Sequence, residues 1–309
     1  MSSAERSHRL LARIALLGAT GVWATSFVIV QRALVVIPVF HLLAYRFTLA
    51  TLLLLPLARG ARWTPQLRRD GAAIGLSLFA GFALQTSALL WTTPARTAFL
   101  TGLSVVFVPL MGLVLGRRLR AGPALGSLIA AVGLYVLYLP AAGGAGQAGI
   151  APAGFGKGDV LALACAVAFA VYVLLVERAA RRNPVAPLAL VEFGLVALLA
   201  LPTLAFPPPA AGEFRGFPLF ATLVLAVLAT AAAFVAQLYG QRHLSAIEAG
   251  VIFTLEPVLA AGLSVALKID PPSRWLAIGG ALVVAAMLVT ELWGGPDDAP
   301  PAVGATPRS

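Results

Sequence analysis

The chain reads as an all-α integral membrane protein, with ten transmembrane helices arranged as two inverted five-helix repeats. Three observations predict this. Ten apolar stretches of about 17–25 residues run from Leu10 to Trp293, each long enough to cross a hydrocarbon core of about 30 Å. The basic residues alternate in density from one connection to the next. The two halves of the sequence also align with one another in order.

The elements follow from the apolar runs and their punctuation. Arg6, Arg9 and Arg13 flank a first run over 10–30, which continues into further spans with no convincing small-residue cleavage site. It is therefore a retained helix rather than a signal peptide. The next runs cover 40–58, closed by Pro56 and Arg59, then 71–91, and 97–115, which contains Pro109. A run over 123–140 carries the small residues Gly122, Gly126, Ala130 and Gly133. Small residues allow close helix contact, either inside one chain or in a homodimer. The Gly/Pro/Ala-rich segment 141–158 reads as a linker. Five more runs follow at 159–177, 185–206, 217–240, 245–267 and 275–293, the last with Gly279, Gly280 and Ala281. The domain reading is a cytoplasmic N-terminus at 1–9, a first repeat at 10–140, the linker, a second repeat at 159–293, and a Pro/Gly-rich disordered tail at 294–309.

Composition supports the class and excludes others. The chain is 60% hydrophobic and 11% charged, against about 25% charged for a soluble domain. The net charge of +10 sits in short clusters at helix ends, without a basic stripe interleaved with aromatics, so nucleic acid is not an expected partner. The lone cysteine, Cys165, lies inside an apolar run, and His8, His41 and His243 are scattered. No metal cluster, P-loop, dinucleotide fingerprint or nucleophile elbow is visible, so neither a metal nor a cofactor is expected, and an enzyme is disfavoured.

Orientation follows from counting. With the N-terminus cytoplasmic, the inner segments hold fifteen Lys and Arg residues and the outer segments six, leaving Arg46 inside a span, which accounts for all 22. Both termini are therefore expected inside. A shift of 146 lays residues 41–56 on 187–202 with seven of sixteen positions identical, and lays 23–33 on 169–179. A shift of 148 pairs Gly102 with Gly250 and Pro109 with Pro257, and a shift of 153 pairs 124–133 with 277–286. Five spans is an odd number, so the second half must insert upside down, an arrangement that places binding sites near the midplane.

A few polar residues inside the spans are candidates for substrate binding. Arg46 lies about six residues into the second span, and the alignment puts Glu192 at the equivalent place in the seventh. The two are read as an anion anchor and its counter-charge; the alternative is that both snorkel to the headgroups. Glu256 precedes Pro257 in the ninth span. A proline there frees a backbone carbonyl, and a buried carboxylate beside it can take a cation or a proton. Its alternative is a structural acid that fixes packing. Pro109 is the matching helix break in the fourth span, where Val108 replaces the acid. Trp23, Ser26, Gln85, Tyr172, Gln237 and Tyr239 are candidate cavity-lining residues, or else interfacial anchors and helix glue. Glu248 and Glu291 lie near span ends and read as solvated.

Several pieces resemble the drug/metabolite transporter superfamily, specifically its EamA-type ten-helix permeases. They are WATSFVIVQRAL and YRF in the first two spans, TTPARTAFLTGLSVVFVPLMGLVLG in the third and fourth, and LGSLIAAVGLYVL in the fifth. In the second half they are SAIEAGVIFTLEPVLAAGLSVAL and IGGALVVAAMLV, so the likeness covers about 14–292. The resemblance implies two inverted five-helix bundles around a central cavity, and export or exchange of small metabolites by alternating access. Arg46 matches the basic residue common in the second span of the repeat, and Glu256–Pro257 an acid–proline pair of the ninth. One departure stands out: where the family often carries Gly-Glu after the fourth and ninth spans, this chain reads GRRL (116–119) and LKID (267–270).

The expected function is secondary transport in the cytoplasmic membrane, exporting amino acids or related compounds. Protons are a candidate coupling ion, with Glu256 as the coupling or substrate-amine acid. Two alternatives remain open from sequence: export of drugs or nucleosides, and a lipid or lipid-carrier flippase with Arg46 at a headgroup.

Overall fold

The computed structural model describes residues 3–92, 94–116, 121–137, 156–206, 214–266 and 274–293. Most of the expected linker, the tail, and, apart from Gly116, the segments standing in place of Gly-Glu lie outside the described residues. All regular structure among the described residues is helical. The first half holds α1 (Ser3–Ala33), α2 (Val39–Leu54), α3 (Pro65–Ala88), α4 (Pro94–Gly102), α5 (Ser104–Val114) and α6 (Ala121–Leu137). The second holds α7 (Lys157–Arg182), α8 (Val185–Ala200), α9 (Phe217–Ala226), α10 (Ala233–His243), α11 (Ala246–Phe253), α12 (Leu255–Ala266) and α13 (Arg274–Trp293).

Local chemistry sets many of the ends. Thr64 caps α3 by accepting from the Leu67 N–H at 3.1 Å, with Pro65 at the first helical position. Ser245 and Glu248 form a reciprocal capping box at α11. Prolines precede α2 and α8, and both helices tighten into a 3₁₀ turn at their far ends, Leu55–Ala58 with Pro56 and Leu201–Ala205 with Pro202.

Eight helical spans are long and apolar enough to cross a membrane, and shorter apolar helices cover Ala121–Val136 and Arg274–Thr290. At most half of each long apolar window is buried. The rest presents residues such as Leu10, Leu52, Leu76 and Leu198 outward, as a lipid-facing surface requires. The chain is thus an all-α, multi-pass membrane protein.

Helices of the first half pack mainly on helices of the second. The largest contacts are α6 with α13, α3 with α7, α1 with α10, α3 with α8, and α2 with α8. Counting α4–α5, α9–α10 and α11–α12 each as one span, these join spans 5 and 10, 3 and 6, 1 and 8, 3 and 7, and 2 and 7. Moving every span five places along the ten exchanges 3–6 with 1–8, returns 5–10 and 2–7 to themselves, and carries 3–7 onto 2–8, where α2 also meets α9, so the packing is repeat-like. The small residues of α6 serve contact within the chain: a Cβ on Gly126 would fall 1.9 Å from Thr290 Oγ1 on α13.

Two expectations about helix continuity change. The fourth span is interrupted at Leu103, six residues before Pro109, and Pro109 itself lies inside α5. A proline within a helix removes its own bond to the fourth residue back and crowds that carbonyl, and membrane helices tolerate this because their surroundings re-satisfy the freed groups. Pro109 is therefore not the helix break. The ninth span does break beside its proline, at Thr254. Pro257 falls in the first turn of α12, where its missing N–H has no helical partner to lose. The two interruptions approach one another, since a Cβ on Gly102 would meet Pro257 at 3.7 Å.

Candidate functional site

A cavity lies among α1, α2, α3, α4, α7, α10 and the α11–α12 break. Trp23, Ser26, Arg46 and Gln85 line it from the first half, and Tyr172, Gln237 and Glu256 from the second, beside Pro257. Phe27, Phe82, Phe169, Phe234 and Phe253 supply an aromatic wall.

Arg46 is 2% exposed and points inward, so it does not snorkel. Its Nε donates to Thr230 Oγ1, and its Nη2 donates to the Ala229 carbonyl at 3.1 Å. Thr230 directs its own proton to the Leu225 carbonyl at 2.8 Å, which turns a lone pair towards Arg46. The guanidinium also sits 4.4 Å from the Phe82 ring centroid and 5.5 Å from that of Phe47. These protein bonds use two of the five guanidinium N–H groups.

Arg46's partners exist because the eighth span contains a π turn, Val227–Ala232, between α9 and α10. A π turn widens the backbone and leaves carbonyls without their usual helical donors, a geometry frequent at functional sites. The Ala229 carbonyl accepts from Arg46 and also from Trp23 Nε1 at 2.9 Å. The indole packs against Phe234 and Phe253, with centroids at 4.9 and 5.5 Å. One turn of the second half thus anchors two first-half residues. Neither Thr230 nor Ala229 stood out in the sequence, because VLATAA carries no charge, proline or glycine.

Other candidates fall elsewhere. Glu192 is fully buried, but behind the cavity wall, where Tyr172 OH donates to its Oε1 at 2.5 Å. Its Oε2 is buried with no donor among the described residues, and it forms no ion pair with Arg46. Tyr239 lies at the end of the bundle that carries the N-terminus. Its hydroxyl is 3.2 Å from His8 Nδ1, and its ring stands 4.8 Å from that of His243. Glu248 is not solvated: besides capping α11 it accepts from Arg9 at 2.6 Å, with 13% of its side chain exposed. The side chain of Glu291 is outside the described residues.

The sequence reading also missed an ion pair at the opposite end. Arg96 of α4 meets Asp159 of α7, with Nε to Oδ1 at 2.5 Å and Nη2 to Oδ2 at 2.8 Å. Asp159 simultaneously accepts from the Gly156 N–H at the start of α7, at 2.7 Å. Its place in a linker-to-helix turn hid it, since an Asp there reads as a cap alone. Among the described residues no group of three or more His, Cys, Asp or Glu is placed to hold a metal.

The model of the EamA-like transporter family matches residues 10–139 and 156–292. An uncharacterized transporter of Archaeoglobus fulgidus is 29% identical over 295 residues, covering 94% of this chain and 88% of the relative. A second uncharacterized transporter of that organism is 27% identical over 299 residues, covering 93% and 97%. A protein of known crystal structure superposes with a TM-score of 0.72 at 27% identity, over 91% of this chain and 96% of its own. With most of its length matched by that model, the chain belongs to the EamA-like transporter family of the drug/metabolite transporter superfamily and is a membrane transporter of small molecules.

Proposed function

We propose that this protein is a secondary transporter that exports amino acids or related zwitterionic metabolites across the cytoplasmic membrane by alternating access. The observation that carries the reading is Arg46: a buried cation, fixed by the opposite half's π turn, whose remaining N–H groups have no hydrogen-bond partner among the described residues. A cation held this way suits a carboxylate. Glu256 lines the same cavity as an acid, and the aromatic wall suits an apolar side chain. The three features together match a zwitterion with an apolar body.

The ten spans form two inverted five-helix repeats at 10–140 and 159–293, joined by the linker, with both termini cytoplasmic. The repeat-like helix pairing supports the first statement and the fifteen-to-six distribution of basic residues the second. Rocking of the halves makes and breaks the polar ties between them in turn. Arg9–Glu248 stands at one end and Arg96–Asp159 at the other. Proton coupling passes through Glu256.

The test is flux of an amino-acid and metabolite panel through proteoliposomes, with and without an imposed pH gradient. Saturable flux of one compound class that responds to the gradient is the expected result. Absence of soluble-compound flux in vesicles containing folded protein, together with movement of labelled lipid between leaflets, would replace this reading with lipid translocation.

A further inference from the structure

Two glutamines on α10 form a hydrogen-bonded chain that ends at the cavity. Gln241 is 0% exposed, and its Nε2 donates to the Val173 main-chain carbonyl on α7 at 2.9 Å. Its Oε1 accepts from Gln237 Nε2 at 2.8 Å. Gln237 is 2% exposed and lines the cavity, and its Oε1 is buried with no hydrogen-bond partner among the described residues.

The direction of this chain is set by chemistry, although amide oxygen and nitrogen are otherwise interchangeable in shape. A main-chain carbonyl can only accept, so Gln241 must turn its NH₂ group to Val173. Its oxygen then faces Gln237, which must answer with its own NH₂. Flipping either amide would set two acceptors against one another at hydrogen-bond distance. The last atom of the relay is therefore an oxygen, and it needs a donor. Leaving a buried acceptor unmatched is unfavourable in the empty protein, and a ligand that brings an N–H removes that cost.

We propose that Gln237 Oε1, oriented by the Val173–Gln241–Gln237 relay, accepts a hydrogen bond from the substrate's ammonium group. The cavity then selects ammonium-bearing carboxylates over their desamino analogues. This rests on the reading of the cavity as the substrate site, and it refines the division of labour there. Arg46 takes the carboxylate, the neutral Gln237 carbonyl takes the ammonium, and Glu256 is left to exchange protons. A neutral acceptor suits a transporter, because it recognises the ammonium without holding it by a full opposite charge. A site built around such a group rejects analogues that leave it unpaired. Gln237 is a binding residue; Gln241 is a positioning residue that acts through it.

The experiment uses the full chain in proteoliposomes, with labelled leucine and phenylalanine. Their desamino analogues, 4-methylpentanoate and 3-phenylpropionate, serve as competitors. Wild type should carry at least one of the amino acids and be inhibited by its desamino analogue at least about tenfold more weakly than by the unlabelled amino acid. In Gln237→Met and in Gln241→Met, which keep side-chain length, KM for the amino acid should rise about tenfold with kcat nearly unchanged. Inhibition by the desamino analogue should stay at its wild-type strength. Discrimination therefore collapses from one side only, which a general lesion of the cavity would not produce.

Equal inhibition by amino acid and analogue in wild type would overturn the proposal. So would variants in which both weaken together, or in which discrimination persists. Should Gln241→Met fail to fold, Gln237→Met alone decides the outcome. Absence of amino-acid and carboxylate flux in wild type would instead defeat the broader reading of the cavity.

Discussion

Arg46 and Glu192 occupy equivalent positions in the two halves, and both are buried. Their surroundings differ. Arg46 reaches across to the second half, to Thr230 and the Ala229 carbonyl, and faces the cavity. Glu192 stays within its own half, bonded to Tyr172 twenty residues earlier, and is not among the residues that line the cavity. A guanidinium is all donor, and a widened π turn offers it free acceptors. A carboxylate is an acceptor and needs a donor, which a neighbouring helix backbone cannot supply but a tyrosine hydroxyl can. Internal duplication thus carries over depth in the bundle. Direction is decided by which neighbour can complete the hydrogen bonds.

The contrast is sharpest under mutation. Arg46→Ala should abolish transport while leaving membrane insertion intact, measured as flux per inserted molecule; near-normal flux in that variant would remove Arg46 from the site. Arg46→Lys should also fall by at least about tenfold, because one ammonium cannot hold Thr230, Ala229 and a ligand in the same fixed geometry. Next in size is Glu256→Gln, expected to flatten the response of flux to pH. An unchanged pH profile would take proton coupling away from Glu256.

Glu192→Gln and Tyr172→Phe are expected to act differently from Arg46→Ala. Each should retain measurable flux and lower stability by about 1–3 kcal/mol, as for loss of one buried hydrogen-bond partner. Thermal unfolding in detergent, read beside flux, separates the two effects. If Glu192→Gln lost transport as completely as Arg46→Ala while remaining folded, the contrast between the two positions would collapse. Thr230→Val removes one anchor of Arg46, and a severalfold rise in KM is expected, corresponding to about 1 kcal/mol.

The smallest effect is expected at the N-terminal end. Arg9→Ala breaks a part-buried ion pair with Glu248 and should cost about 0.5–1 kcal/mol. Its signature is a modest shift in flux that high salt reproduces in the wild type, because screening weakens the same contact. Salt-independent loss of most activity would point to a larger role than a tie between helices.

Much of this organisation is written in local composition. Continuous apolar runs can satisfy their backbone in lipid only as helices, so the spans are legible one at a time. Arg46 and Glu256 were legible because ionisable groups are rare inside such runs and costly without partners. The π turn and the Gln241 relay were not legible. Both depend on which helix lies alongside, and VLATAA and QLYGQRH have no residue that announces such a neighbour. Glu248 misled in the same way: near a span end it reads as solvated, and only the arrival of α1 brings Arg9 within 2.6 Å.

By itself, the sequence determined the class of the protein, the apolar spans, the alignment of its halves and the family signature, because each is a property of contiguous residues and their hydrophobicity. The tertiary structure alone decided which polar groups share a cavity. It turned Arg46 and Gln237 inward, set Glu192 behind Tyr172, and moved Tyr239 to the bundle's end. The physical reason is that a buried polar side chain goes where its hydrogen bonds can be completed, and those partners lie on helices distant in the chain.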